Sequence, residues 1–529
     1  MTNQPVDLTS SGIAPRPLEV STSTTFADLV VQLGAKISNP DDLHRPIVGV
    51  SLDSRKVRAG DLFVALPGVN THGAVFGDQA AQSGAIGILT DQDGLARLTQ
   101  QGVGLPILTV PNVRHAMAIA SAAIYGQPAQ QLRMLGVTGT NGKTTTTLMI
   151  EHALLSAGAQ IGTIGTIGTR LNGAPVPNEI STVTTPESPQ LQELLARYVA
   201  ADGQWVAMEV SSHALALERV TGIVFDVAGF TNLGQDHLDF HHTVANYFEA
   251  KAKLFTSRMT RSAAINIDDP AGQELHRRVS RAGLPLLTTG CTEQADVQIV
   301  AWTPNSAGCA VRIRLQQQVL DFQLGMPGEF NVRNAATTLA MLTLADVDVS
   351  GLLDSFAQLR VPGRMEPVVL AEVADRRAPQ VFVDFGHTPQ AITAALRAAE
   401  GSAGRLIAVF GAGGDRDPAK RAPMGAAATE LADVIIITDD NPRSEDPASI
   451  REQIVAGWRD HPRASEVEII NGGDRRSAIR IALQMAEPDD RIVILGKGHE
   501  KTQEIAGVRH PFDDVVVAQE LWSSLGERA

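Results

Sequence analysis

The chain has 529 residues, of which 43% are hydrophobic and 19% charged. A single core rarely grows past about 250–300 residues, so several domains are expected, and this balance excludes a disordered chain or a coiled coil. The formal net charge is -14, from 44 basic and 58 acidic residues, which argues against nucleic acid as a partner.

Two cysteines, Cys291 and Cys309, suit neither a disulfide framework nor a zinc cluster. They point to a reducing, cytoplasmic setting. Residues 1–20 carry no basic n-region and no apolar h-region, and no run approaches about 18 apolar residues, so neither a signal peptide nor a membrane span is expected. This polar, proline-bearing start reads as a loose tail. Nothing in the sequence signals an oligomer, and a monomer is the default expectation.

From Phe26 to about Gly126, β-like runs alternate with helical ones: LFVAL (62–66), AIGILT (85–90) and LPILTV (105–110). This predicts a small α/β domain over 1–126, closed by the polar stretch YGQPAQQL (125–132). A second domain, 127–362, opens with MLGVTG and runs into KTTTTLMIEHALLSAG, which reads as strand, Gly-rich turn and helix. Further strands are expected at 205–210, 224–232 and 262–268, giving βαβ units in a mostly parallel sheet. After VPGRMEP (361–367) a third domain, 363–529, carries strands at 380–385, 405–411, 433–440 and 491–496, each running into a polar or Gly-rich loop. The predicted fold class is α/β in three domains. Ligands of such sheets bind at the carboxyl ends of strands.

The strongest chemical signal is GVTGTNGKTT, Gly136 to Thr145. Gly139 to Gly142, with Thr140 and Asn141 between them, offer backbone N–H groups to phosphate. The helix N-terminus favours an anion, Lys143 can reach the β- and γ-phosphates, and the Thr144 hydroxyl can coordinate Mg²⁺, with Thr145 beside it. The strict P-loop has glycine five residues before Gly142, and here Val137 stands there.

This variant, GTNGKTT, resembles the Mur ligase superfamily, ATP-dependent amide ligases of peptidoglycan synthesis with folylpolyglutamate synthetases as relatives. The resemblance runs from about Ser51 to Glu500, with motifs in the family's order. It implies a uridine-nucleotide N-terminal domain, a central P-loop ATPase domain and a C-terminal Rossmann-like domain that chooses the amino acid. SLDSRKVRAGDLFVALPG (51–68) then places Leu52 and Ser54 by the nucleotide sugar. STVTTPES (181–188) places Thr184 and Thr185 by the muramyl peptide, although TTPES alone reads as a helix cap with Pro and Glu in the first turn. MEVSSHALALERV (208–220) implies Glu209 as a metal ligand at a strand end, with Ser211 and Arg219 on the substrate. TNLGQDHLDFH (231–241) implies His237 as ligand to a second metal, and YFEAKAKLF (247–255) implies Lys251 as an N-carboxylated lysine. Carbamate formation needs the neutral amine, which burial favours. Lys143, Glu209, His237 and Lys251 are thus the expected catalytic set. Thr144, Glu209, His237 and the Lys251 carbamate would hold two Mg²⁺.

On the ATP side, PGEFNVRNAATTLA (327–340) implies Asn331 and Asn334 near the base, and PGRME (362–366) supplies Arg364 to the phosphates. VDFGHTPQ (383–390) resembles the usual Asp-Tyr-Ala-His-Thr-Pro-Asp with Phe385, Gly386 and Gln390 substituted, and it keeps Asp384 and His387. On the amino-acid side stand GAGGDRDPAKR (411–421) with Arg416, Asp440-Asn441-Pro442-Arg443, and GKGHE (496–500) with Gly496 and Glu500. Two guanidiniums and a carboxylate at neighbouring strand ends suit a zwitterion with extra carboxylates. Asp-Asn-Pro-Arg is the pattern of members that add meso-diaminopimelate. The resemblance therefore implies its addition to the D-glutamate γ-carboxylate of UDP-N-acetylmuramoyl-L-Ala-D-Glu, through an acyl phosphate and at the expense of ATP. The same reaction with L-lysine and a folylpolyglutamate-type ligation are the alternatives.

Overall fold

The computed structural model describes residues 24–526 apart from 40–42, 69, 177–182, 374–376 and 402. The expected loose tail at 1–20 lies outside the described residues. The chain forms two compact units: Met1–Arg133 with Pro186–Gln204 and Leu217–Ile223, and Met134–Thr185 with Trp205–Ala216 and Val224–Ala529. The first unit thus draws in two pieces of chain from beyond residue 126.

The first unit holds a five-stranded sheet in the order Lys36–Ile37, Ile107–Thr109, Gly87–Thr90, Asp61–Val64 and Gly49–Ser51. Only the short strand Lys36–Ile37 runs antiparallel. The helix Val113–Ile124 buries Met117, Ala120 and Ile124 in a core with Phe26, Leu62 and Leu108. Its Asn112 side chain caps the first turn by accepting from His115 N.

The second unit holds an eleven-stranded and a six-stranded sheet. In the larger, the P-loop strand Arg133–Thr138 lies between Val227–Phe230 and Trp205–Glu209. The chain adds strands first on one side of it and then on the other, so its carboxyl end is a topological switch point. Two helices, Lys143–Ser156 and Glu329–Leu344, are buried nearly all round because they are packed between the sheet and each other. The sheet is parallel through its centre, but Val297–Asn305, Gly308–Leu315 and Gln318–Leu324 form an antiparallel wing. Residues of this wing alternate between core and solvent, which antiparallel edges permit.

The six-stranded sheet runs Glu366–Pro367, Gln380–Asp384, Arg491–Leu495, Leu406–Phe410, Val434–Thr438 and Glu468–Gly473. Apart from the first short strand it is parallel. Five carboxyl ends therefore face one way, at Asp384, Gly411, Asp439, Gly473 and Gly496. A separate hairpin, Thr502–Ile505 with Val508–Pro511, follows the last of these loops. Beneath them Arg475 and Asp514 form an ion pair at 2.7 Å with both side chains fully buried.

Candidate functional site

The P-loop closes on itself through side chains that the motif supplies. Gly142 precedes the helix Lys143–Ser156 with φ +87, and a Cβ there would collide with Asn334 Oδ1. Only glycine serves at this cap. Lys143 Nζ donates to the carbonyls of Gly139 and Thr140, both at 2.9 Å. Asn141 N donates to Asn232 Oδ1 at 3.0 Å, and Asn232 Nδ2 donates back to Asn141 O at 3.1 Å. Burial depresses the Lys143 ammonium below its ordinary range, while Glu209 and Asp236 pull the other way.

Beside the loop is a cavity of about 430 Å³ lined by Asn141, Gly142, Thr145, Asn334, Arg364, Asp384 and His387, with Phe330, Phe385, Arg333 and Gln390 among its other walls. Arg364 reaches across it and donates to Thr144 Oγ1 at 3.1 Å, its guanidinium 4.5 Å from the centre of the Phe385 ring. Asp384 is buried and accepts from Met365 N at 2.8 Å and Gly386 N at 2.7 Å. Burial still raises its pKa, against the opposing pull of Arg364. His387 Nδ1 bonds Phe385 O at 2.9 Å, and its Nε2 lies 4.0 Å from Asp236.

Asn331 was expected near the base. It is fully buried, its amide donates to Pro327 O at 2.7 Å, and it is absent from the cavity wall. It shapes the turn before the helix, and Asn334, one turn on, meets the cavity. The helix-cap reading of TTPES is also corrected. The helix spans Ser188–Ala200 with Glu187 at its N-cap and Pro189 in the first turn. The Thr185 hydroxyl is engaged elsewhere, donating to Glu209 O at 2.9 Å and accepting from Ser211 N at 3.1 Å.

Glu209 ends the strand Trp205–Glu209 and is 1% exposed. Both its oxygens accept from one residue: Oε1 from Thr166 N at 2.7 Å and Oε2 from Thr166 Oγ1 at 3.0 Å. Thr166 Oγ1 also lies 3.2 Å from Thr184 Oγ1. Lys251 is equally buried. Its Nζ donates to Gly139 O at 2.7 Å and sits 4.3 Å from the centre of the Tyr247 ring. Burial first, then Lys143, holds its pKa well below the ordinary value. His237, before the short helix Leu238–His241, has φ +55 and lies 3.5 Å from Asp236. Among the described residues no three His, Cys, Asp or Glu side chains cluster closely enough to hold a metal by themselves. The oxygen donors Glu209 and Thr144 nonetheless suit a hard cation whose other ligands come from phosphate or a lysine carbamate.

The loops expected to hold the amino acid meet at the carboxyl edge of the six-stranded sheet. Asn441 donates to Glu500 Oε2 at 2.9 Å and accepts from Glu504 N at 2.9 Å. Lys497, unremarked within GKGHE, is the organiser: its fully buried Nζ donates to Glu500 Oε2 at 2.9 Å, Thr502 O at 2.6 Å and Asn441 Oδ1 at 3.3 Å. Burial disfavours ionised Glu500, but Lys497 and Asn441 outweigh it and hold the carboxyl below its usual range. Arg443, at φ +52, donates to Gly414 O at 2.5 Å and lies 3.9 Å from Glu504. Its Nη1 and the Arg416 side chain both flank Gly413, with Arg416 exposed. Pro442 O accepts from Glu445 N at 3.1 Å and shapes the turn. Asp440 is buried with Oδ1 lacking a hydrogen-bond partner, and its Oδ2 faces Gly496.

The residues expected on the muramyl substrate divide between the units. Ser54 and Leu52, after the strand Gly49–Ser51, belong to the first unit, and Ser54 Oγ donates to Gln79 Oε1 at 2.7 Å. Arg219 also belongs there and pairs with Glu187 at 2.8 Å. Thr184, Thr185 and Ser211 belong to the second unit. Besides Lys497, sequence reasoning missed Thr166, which follows the strand Ile161–Gly165, and Arg333, a cavity-wall residue that pairs with Asp268 and Glu329. Arg333 lies inside the quoted PGEFNVRN, two residues from Asn331, on a helix whose neighbouring positions were singled out.

Three domain families match in sequence: the Mur ligase family catalytic domain over 46–125, the Mur ligase middle domain over 137–342, and the Mur ligase glutamate ligase domain over 363–498. A UDP-N-acetylmuramoyl-L-alanyl-D-glutamate–2,6-diaminopimelate ligase of Corynebacterium efficiens is 42% identical over 94% of this chain and 95% of its own length. A solved structure of a ligase of that name superposes with a TM-score of 0.66 at 32% identity, covering 95% of this chain and 99% of that one. The folylpolyglutamate synthase of Mycobacterium tuberculosis shares the fold at a TM-score of 0.60 and 19% identity, over 78% of this chain and 95% of its own. The chain belongs to the Mur ligase family.

Proposed function

We propose that this chain is an ATP-dependent ligase that adds meso-diaminopimelate to the D-glutamate γ-carboxylate of UDP-N-acetylmuramoyl-L-Ala-D-Glu, in peptidoglycan precursor synthesis. The observation that carries this reading is the likeness, along nearly the whole chain, to relatives bearing that name. The intact Asp440-Asn441-Pro442-Arg443 loop, joined to Glu500 through Asn441, supports it. Both cysteines are free and no helix among the described residues is long and apolar enough to cross a membrane. We place the reaction in the cytoplasm, with the chain as a monomer.

The γ-phosphoryl group passes from ATP to a γ-carboxylate oxygen, and ADP leaves. A neutral amine of diaminopimelate attacks the acyl-phosphate carbon, and the tetrahedral intermediate expels phosphate to leave the amide. Lys143 exchanges the Gly139 and Thr140 carbonyls for phosphate oxygens, so its charge is delivered where charge develops. Arg364, braced on Phe385, exchanges Thr144 for phosphate in the same way. Thr144, Glu209, His237 and Lys251 as its carbamate would hold two Mg²⁺, which supply charge neutralisation on the phosphoryl oxygens. The buried, easily neutralised Lys251 amine suits carbamate formation. No residue acts as a covalent nucleophile, and positioning does most of the work. Arg443 and Arg416 offer forks to the distal carboxylate, and Glu500 faces the ammonium beside it.

The test is phosphate release from ATP with UDP-N-acetylmuramoyl-L-Ala-D-Glu, comparing meso-diaminopimelate with L-lysine. Turnover with diaminopimelate alone is expected. Turnover with lysine would keep the ligase and overturn the role of Arg443. No turnover with either, despite ATP binding, would overturn the proposed activity.

A further inference from the structure

Thr166 is a junction. Its N–H and hydroxyl occupy both oxygens of Glu209, and its hydroxyl also meets Thr184. Its carbonyl lies 3.2 Å from His499 Nε2. A carbonyl only accepts, so Nε2 carries the proton and donates. His499 precedes Glu500, the carboxylate that Lys497 and Asn441 hold in the amino-acid loops. One hydrogen bond therefore separates the segment that ends in Glu500 from the residue that grips Glu209.

The local packing is built for this approach. A Cβ on Gly165 would collide with the Glu209 carboxyl, so the strand end closes around that side chain because residue 165 is glycine. A Cβ on Gly363 would collide with the backbone of Gly498 and His499. The loops carrying Arg364 and His499 thus cross in van der Waals contact, and both side chains meet the Phe385 ring, whose centre is 5.4 Å from that of His499. His499 Nδ1 is buried with no hydrogen-bond partner. Burial and the adjacent Arg364 push the imidazole pKa down to about 4, so the ring is neutral at pH 7 and its single N–H goes to Thr166. Among the described residues that bond is the imidazole's one hydrogen bond, and its remaining contact is with the Phe385 ring.

We propose that His499 and Thr166 are positioning residues that tie the amino-acid loops to Glu209, so that the orientation of the Glu209 carboxylate depends on the placement of the Glu500 segment. This rests on the ligase reading above and deepens it: the loop that selects the amino acid also sets the carboxylate beside the phosphates. Partners one bond removed from a ligating carboxylate commonly change metal affinity or activity by about 10–100-fold.

The test uses the full chain with His499→Phe, which keeps a ring against Phe385 but cannot donate, and His499→Gln, whose amide can. Three readouts are needed: kcat and KM for each substrate, melting temperature, and calorimetric binding of a non-hydrolysable ATP analogue across a Mg²⁺ titration. His499→Phe is expected to raise the Mg²⁺ concentration for half-maximal analogue binding by about 10-fold, with kcat falling in step and melting little changed. His499→Gln is expected to recover most of both. Thr166→Val, which loses the hydroxyl but keeps the N–H, should give a similar shift, and the double variant should add less than the two singles combined. An unchanged Mg²⁺ titration in His499→Phe, equal impairment of the Gln and Phe variants, or strict additivity would overturn the proposal. If His499→Phe does not fold, His499→Leu, which likewise cannot donate, decides: a shifted midpoint supports the relay and an unshifted one sinks it. Wild-type turnover in the same assay separates failure of this relay from failure of the ligase reading.

Discussion

Two carboxyl edges in the second unit do different work with different materials. The P-loop edge is built from consecutive residues, Gly139 to Thr145, and presents backbone N–H groups and one lysine. The amino-acid edge is built from side chains on three separated loops, Arg416, Asn441 with Arg443, and Lys497 with Glu500. Backbone geometry suits a ligand common to many enzymes, such as a triphosphate. Side-chain forks suit a ligand that must be told from near relatives. Loss of a single side chain should therefore act on the chemistry at the first edge and on recognition at the second.

The largest expected effect tests the first half of that contrast. Lys143→Ala should lower kcat about 10³-fold, in the upper range for removal of one transition-state donor. Binding of a non-hydrolysable ATP analogue should weaken far less, because the loop N–H groups remain. A variant that loses analogue binding and turnover equally would show that Lys143 holds the ground state instead.

Arg443→Ala should act the other way round. A hydrogen bond to a charged group contributes about 1.5–3 kcal/mol, so KM for diaminopimelate should rise about 10–100-fold while KM for ATP stays put. Arg443→Lys should recover little, since an ammonium cannot reproduce the fork. Equal KM values for diaminopimelate in wild type and Arg443→Ala would break the contrast.

Lys497→Met probes how the second edge is held. Breaking a fully buried ion pair costs about 3–5 kcal/mol. Here Glu500 is 36% exposed, so the cost should fall below that, to about 2 kcal/mol. Denaturant melts should show it together with a raised KM for diaminopimelate. An unchanged melt would mean that Asn441 alone orders the loops.

The same contrast explains what was legible. The P-loop, the strands and their carboxyl-end loops could be read because each is a contiguous pattern: apolar run, glycine, polar turn. The antiparallel wing at 297–324 was not anticipated, because its strands pair with each other and alternate between core and solvent. Lys497 was in view within GKGHE and Thr166 lay in no quoted motif, and neither carries a local signal. Their importance comes from partners far away in sequence, Asn441 for one and Glu209 for the other. Asn331 shows the converse. It matches the motif, yet its amide is committed to Pro327 and only Asn334 meets the cavity.

Acid should separate the buried imidazoles from Glu500, with the smallest effect of the set. His241, 6% exposed and 2.9 Å from Ser212 Oγ, and His499 are each pushed by burial down to about 4. An imidazole of the unfolded chain takes a proton below about pH 6.5. Between pH 6.5 and about 4 the unfolded state thus binds more protons, and stability falls as pH falls. Glu500 behaves as a depressed carboxylate. Its contribution is present above its ordinary value and is lost only as pH drops through its lower folded value. The melting temperature should accordingly decline by a few degrees from pH 7 to 5, and His241→Gln should flatten that decline. Lys497→Met should leave the slope in this window unchanged and alter it only nearer pH 4. A decline that survives unchanged in His241→Gln would remove that imidazole as a source of the acid sensitivity and leave His499 as the other candidate.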